Sequence, residues 1–587
     1  MTWRVQRQSP NRQAAVRPAP GHAARLPIPS RGTLWADVLA QSAVLDVAAL
    51  AFIWLMIVLL VDPRGNFPLN DDWSYGRAVQ NLVERHSFAL TGFTSMPLLA
   101  QVVWGALFCL PAGFSFTALR VSTLVLGFVG IVATYELLKE ARASRGFALM
   151  GALLVALNPL YCVLAFSFMT DVPFFAFSML AILFLVRGTV RDRPVSVYIG
   201  VLFTFVALLI RQPAMLILLA FAVTYPLCRG FTRITISRAV MPVFFGVGFL
   251  IAYRRLLEAT TGVPVLYNRA YDPLTESAAG FVQALGQVLD RLFVAAIYLG
   301  LFALPVALIV AGRRWRNSSG TIRQAPLVLS AAVSAIVMAA LIWSGRRFPL
   351  TGNVLSEDSL GPTLLRDTYI LRLRDFPHLP GSVWWAVTAG AVTGAVLVAQ
   401  RIAATGIDLV RTIARKRIVT DFPSAFALVL GLVYAASIAV TGYLDRYLIF
   451  ALPLVLMTVA AAAVPGRWRW HAGSVAAATL VVVFGFFSVA ATHDYLSWNR
   501  ARWTALRHLT NDMNVSYRDI DGGFEFNGWY GYDPTYRETP GISPWWVQND
   551  RYLISFAPLP AYEVTNVYRY GTWMPIGPRE IFVLHRP

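Results

Sequence analysis

Residues 43–61 read AVLDVAALAFIWLMIVLLV, and residues 62–75 continue as DPRGNFPLNDDWSY. At 1.5 Å per residue the first string is long enough to cross the roughly 30 Å hydrocarbon core of a bilayer. The second begins Asp62-Pro63-Arg64-Gly65, which offers no small-residue cleavage site, so the run is expected to stay as an uncleaved anchor. Ahead of it, residues 1–36 hold six arginines, no acid and several prolines, the composition of a disordered basic cytosolic tail.

The same kind of apolar run recurs along the 587 residues. Transmembrane helices are predicted at 42–61, 117–138, 147–166, 171–187, 195–211, 213–228, 239–253, 291–311, 326–344, 383–402, 422–440, 447–463 and 471–491, about thirteen in all. Leu98–Leu110, between Pro97 and Pro111, is too short to span and reads as a half-inserted or interfacial helix. The chain is 57% hydrophobic and only 14% charged, where a soluble protein carries roughly a quarter charged residues. The expected fold is an all-α polytopic membrane protein.

A net charge of +19 could point to nucleic acid, but the basic residues sit in loops between apolar runs. With the N-terminus placed inside, the inside segments are short and basic, and Glu140, Asp192, Asp408 and Asp421 are their acids. That pattern is the usual orientation signal, and no nucleic-acid partner is expected. The orientation leaves loops 62–116, 254–290 and 345–382 outside, with a C-terminal domain at 492–587 and a transmembrane domain at 37–491. The C-terminal segment is expected to be a small mixed α/β or β-rich domain, with short strands at Arg551–Phe556 and Ile581–His585. Its aromatic residues, among them Trp529, Trp545 and Trp546, read either as core and membrane-interface packing or as sugar-stacking surfaces. The three cysteines, Cys109, Cys162 and Cys228, imply neither a disulfide framework nor a thiolate metal site.

Chemistry is expected on the outer side. Asp71 and Asp72 are adjacent carboxylates that repel each other, so they read either as acids serving a proton, cation or substrate hydroxyl, or as the cap of a helix Ser74–Glu84. Asp171 is an isolated acid between two apolar runs, a costly position that marks a functional candidate, or an N-cap ahead of Pro173. Arg211 interrupts an apolar run before Pro213, Arg346 and Arg347 open an outer loop, and Arg446 lies in Asp445-Arg446-Tyr447. Such arginines suit a lipid phosphate, and each also reads as a headgroup contact or local ion pair. The chain has no His-Glu-x-x-His, P-loop or Gly-x-Ser-x-Gly motif, and its histidines avoid helix centres.

The stretch from Ser42 to Leu227 resembles the GT-C glycosyltransferases of the protein O-mannosyltransferase and lipid A aminoarabinose transferase type. The carrying motifs, in order, are Asp71-Asp72-Trp73-Ser74-Tyr75, Pro97-Leu98, Leu119-Arg120-Val121, Thr170-Asp171 and Arg211-Gln212-Pro213, with Arg446-Tyr447 and Leu452-Pro453 near the end. The chain departs from that pattern with Arg211 in place of lysine and with Trp73 after the acids. The resemblance implies transfer of a sugar from a polyprenyl-phosphate donor to a cell-envelope glycan, lipid or protein at a bacterial inner membrane. It implies Asp71 as general base, with Asp72 and Asp171 beside it, and inversion at the sugar. Arg211, Arg446, Tyr447, Arg346, Arg347 and Tyr75 are the expected donor contacts. No cofactor is required, and a divalent metal at Asp71–Asp72 stays open. Two other readings are a transporter or flippase for a lipid-linked sugar, and a non-enzymatic envelope assembly factor. Polar residues clustered at one surface, rather than in broken helices at mid-membrane, favour the enzyme over the transporter.

Overall fold

The computed structural model describes residues 31–269, 281–316, 321–357, 359–460, 472–538 and 540–587. The chain divides into two units, Met1–Ala49 and Leu50–Pro587. In the first, the described residues 31–49 are helical; everything below concerns the second. The basic tail expected at 1–36 falls largely outside the described residues.

Each of the thirteen predicted stretches falls on helix, with described breaks in 147–166 and 195–211. Among the described residues ten helices are long and apolar enough to cross a membrane, or eleven if one bent pair counts as a span. The difference from thirteen has local causes. Predicted helix 147–166 is two pieces, Arg145–Ala156 and Pro159–Ala165, bent by 59°. The break lies at Asn158-Pro159, where the Asn158 side chain accepts the Leu160 and Tyr161 amides and Pro159 has no amide to donate. Helix Pro194–Leu208 stops short because Arg211 is extended ahead of the 3-10 turn Gln212–Ala214. Helix Leu448–Ala460 is described for 13 residues, and 461–463 lie outside the described residues. The expected short helix is present as Leu99–Cys109.

Two long helices cross at close range. A Cβ on Gly300, in helix Phe281–Arg316, would lie 2.3 Å from the Ala395 amide nitrogen, and one on Gly394, in helix Gly381–Ala414, 2.1 Å from the Gly300 carbonyl oxygen. Such backbone contact between helices requires residues without side chains.

The last long helix, Ala472–Arg507, passes residue 492 unbroken, so the expected domain boundary falls inside it. Beyond it lies a four-stranded mixed sheet of β1 (Ile520–Asp521), β2 (Tyr552–Ser555), β3 (Glu563–Arg569) and β4 (Glu580–His585), in the order β1-β2-β4-β3. β1 pairs parallel with β2, and β4 pairs antiparallel with both β2 and β3. β2 and β4 fall on the two strands expected from sequence. With the short helix Phe524–Gly531 the domain is mixed α/β.

That domain packs directly on the first loop. Trp73 is buried against Phe93, Phe524, Tyr532 and Trp546. Gly528 meets its indole so closely that an added Cβ would lie 2.5 Å from the ring. Most of the C-terminal aromatics are therefore packing residues; Trp545 and Trp546 also line a cavity.

Candidate active site

The loop carrying Asp71 is held from three directions. Arg120, buried in helix Phe116–Glu140, donates to the carbonyls of Pro63, Gly65 and Phe67 and so gathers the start of the loop. Asp72, fully buried, accepts the Leu69 amide on one carboxylate oxygen and the Phe168 amide, at 3.0 Å, on the other. Asn70, held at φ 54°, donates its amide to Glu525 of the C-terminal domain at 3.0 Å. The other oxygen of Glu525 accepts Arg502 at 2.8 Å in an ion pair with both side chains 0% exposed. Asp71 follows as N-cap of helix Asp72–Arg85, but its side chain makes no capping bond. It is free to point elsewhere.

It points at Arg446. The Arg446 Nη2 donates to Asp71 Oδ2 at 3.2 Å, and its Nε lies 3.9 Å from Asp171 Oδ2. Asp171 Oδ1 accepts Arg211 Nη1 at 2.7 Å. The four side chains form an alternating row, Asp71, Arg446, Asp171, Arg211. Asp171 Oδ2 and Arg446 Nε are buried and face each other beyond hydrogen-bond distance. The Arg211 guanidinium sits 4.4 Å from the centre of the Tyr447 ring. Tyr75 is buried and within electrostatic reach of Asp71 and Arg446. Asp445 fixes the turn by accepting its neighbour's amide and those of Val354 and Leu355, the latter two at 2.9 Å.

Arg446 is shared by two cavities. A chamber of about 850 Å³ reaches from Asp71 and Arg446 to loop 352–376 and the C-terminal domain. A small pocket of about 70 Å³ holds Asp171, Arg211 and Tyr447, with Phe174, Ile438, Ile449 and Phe450 as apolar wall. Asp71 keeps 18% of its side chain exposed, against 4% for Asp171. Burial raises the Asp71 carboxyl above its usual 3.8, and Arg446 opposes that rise. Burial pushes Asp72 up to about 8, against the pull of Arg120 and the two amides.

Residues 95–256 match the family model described as dolichyl-phosphate-mannose-protein mannosyltransferase. This segment is similar to the GT-C mannosyltransferases. It contains Pro97-Leu98, Arg120, Thr170-Asp171 and Arg211; Asp71 and Arg446 lie outside it. Among solved structures, the apo oligosaccharyltransferase of Archaeoglobus fulgidus is 16% identical with a TM-score of 0.40, covering 80% of this chain and 58% of its own. ArnT of Cupriavidus metallidurans bound to undecaprenyl phosphate is 14% identical with a TM-score of 0.28, covering 72% and 76%. Apo ArnT of the same organism is 14% identical with a TM-score of 0.31, covering 83% and 81%. The chain thus spans under two thirds of the oligosaccharyltransferase. No curated protein sequence matches it.

Of the residues expected from the GT-C resemblance, Asp71, Asp171, Arg211, Arg446, Tyr447 and Tyr75 come together. Asp72 does not join them. Each of its oxygens accepts a backbone amide, so it anchors the loop. For the same reason Asp71 and Asp72 do not present two open carboxylates to a metal. Among the described residues no group of three or more His, Cys, Asp or Glu is placed to hold an ion. Arg346 and Arg347 are also elsewhere. Arg346 pairs with Asp290 at 2.6 Å and Arg347 with Glu357 at 3.1 Å, and neither lines either cavity. Glu525, Arg502, Asn353 and Asp445 were not expected as site residues. Asp445 alone carried a local signal, as the neighbour of Arg446.

Proposed function

We propose that this chain is a membrane glycosyltransferase that moves a sugar from a polyprenyl-phosphate donor to a cell-envelope acceptor, with Asp71 as general base and inversion at the anomeric carbon. The observation that best supports this is the position of Arg446, with Asp71 on the chamber side and Asp171 and Arg211 on the pocket side. The acceptor hydroxyl approaches from the chamber, and Asp71 takes its proton as the oxygen attacks the anomeric carbon. The new carbon–oxygen bond forms while the bond to the phosphate oxygen breaks, and the electron pair leaves with the phosphate. Arg446 and Arg211 are fixed cations for the charge that develops there, in a site where little reorganisation is needed. Asp171 holds both arginines in place. The apolar wall beside them suits the first isoprene units of the lipid. In this reading the two arginines supply the positive charge, and no metal is required. The site faces the extracytoplasmic side of a bacterial inner membrane, with the N-terminus in the cytosol, as the short basic loops indicate.

The test is purified protein with a radiolabelled undecaprenyl-phosphate sugar and envelope acceptor fractions. Asp71→Asn is expected to lower transfer by about 100-fold or more, the usual scale for a lost general base. Full transfer by that variant would sink the assignment.

A further inference from the structure

We propose that the chamber is built for a carbohydrate chain carrying acidic groups, and that this chain is the acceptor. The acceptor role rests on the glycosyltransferase reading above; the binding class rests on the chamber itself. Its volume of about 850 Å³ is that of a ligand site rather than a packing defect. Tyr369 and Trp545 line it with ring centres 5.2 Å apart, and Trp546 lies beside them. A pyranose ring has an apolar C–H face that lies against an aromatic ring and a rim of hydroxyls that needs polar partners. The Asn353 carboxamide oxygen, which lines the same wall, is buried and has no hydrogen-bond partner. The backbone just after it is held by Asp445, which accepts the Val354 and Leu355 amides. A sugar hydroxyl is a donor of the right kind for it.

Charge narrows the class. Among the described lining residues the acids are Asp71, already opposed by Arg446, and Glu538. The other cations are Arg372 and Arg374, and Arg372 makes no hydrogen bond or ion pair among the described residues. Among the described lining residues, arginines outnumber acids by one.

The experiment is calorimetric titration of the full chain in detergent with tetragalacturonate, with its carboxyl-reduced neutral form, and with an acidic peptide of equal charge. The acidic oligosaccharide is expected to bind at least tenfold more tightly than either of the others. Arg372→Gln should bring the acidic and neutral oligosaccharides within twofold of each other, and Trp545→Ala should weaken both by a similar factor. Equal binding of the neutral form, stronger binding of the peptide, or no binding of tetragalacturonate at millimolar concentration overturns the proposal. So does its displacement by undecaprenyl phosphate, which would assign these cations to the donor. Asp71→Asn takes only a negative charge from the chamber and should bind the acidic oligosaccharide at least as tightly as the unaltered chain, so a failed base assignment and a failed acceptor class give different results.

Discussion

Asp71 is a carboxyl under two opposed influences, burial raising it above 3.8 and Arg446 pulling it back. A base must be deprotonated, so transfer should fall as pH drops through the raised value. Arg446→Gln removes the opposing charge and raises Asp71 further. The acid limb of the residual pH–rate profile should then move to higher pH, and a move to lower pH contradicts the assignment. Glu525 is separable from Asp71 in another way. Glu525→Gln keeps an acceptor for the Asn70 amide but strands Arg502 as a buried unpaired charge, a loss of about 3–5 kcal/mol. Glu525→Leu with Arg502→Met should recover most of that thermal stability, since apolar replacement of a buried pair is often neutral. Transfer by this double variant should fall, because the amide next to Asp71 now lacks its acceptor; transfer at the original rate would show that Glu525 does not position the base. At this scale the sequence was informative where a charge interrupts an apolar run, as at Asp171 and Arg211. Residue pattern alone could not separate Asp71 from Asp72; only the resemblance singled out Asp71. Adjacent residues share a neighbourhood in sequence, and the amide of Phe168 that occupies Asp72 comes from 96 residues away.

Hydrophobic runs made the helices legible, because a bilayer demands length and apolarity from each span on its own. Where they bend or stop short was less legible. The break at Asn158-Pro159 was spelled out by a capping residue and a proline, yet the apolar run continues through it. Arg346 and Arg347 misled for a similar reason. They sit at a helix end like the site arginines, but Asp290 and Glu357, brought near by folding, claim them. The crossing at Gly300 and Gly394 has no signal in either helix alone. Gly300→Ala should force the two helices apart and lower the unfolding temperature, at about 1–3 kcal/mol. Gly431→Ala, where an added Cβ meets nothing within 4 Å, is the control that should change little.

The arrangement of the molecule as a whole bears on orientation and on metals. An alkaline phosphatase fusion after Pro587 should be active and a green fluorescent protein fusion dark, if the C-terminal domain lies outside as the basic loops indicate. The reverse result would put the site on the cytosolic side. Transfer should change less than twofold in excess EDTA, since the site's cations are covalently part of the chain. A chelator-sensitive rate restored by one divalent ion would show that an ion joins them.

The row of charges has a history written into its spacing. Arg446 follows Asp71 by 375 residues and Glu525 follows Asn70 by 455. At a synthesis rate of roughly 5–20 residues per second, the base enters the membrane about 20–90 seconds before the residue that orients it exists. During that interval the nascent chain has an acid with no counter-ion and a loop with no anchor, so on the proposed reading it stays inactive until Glu525 has been made.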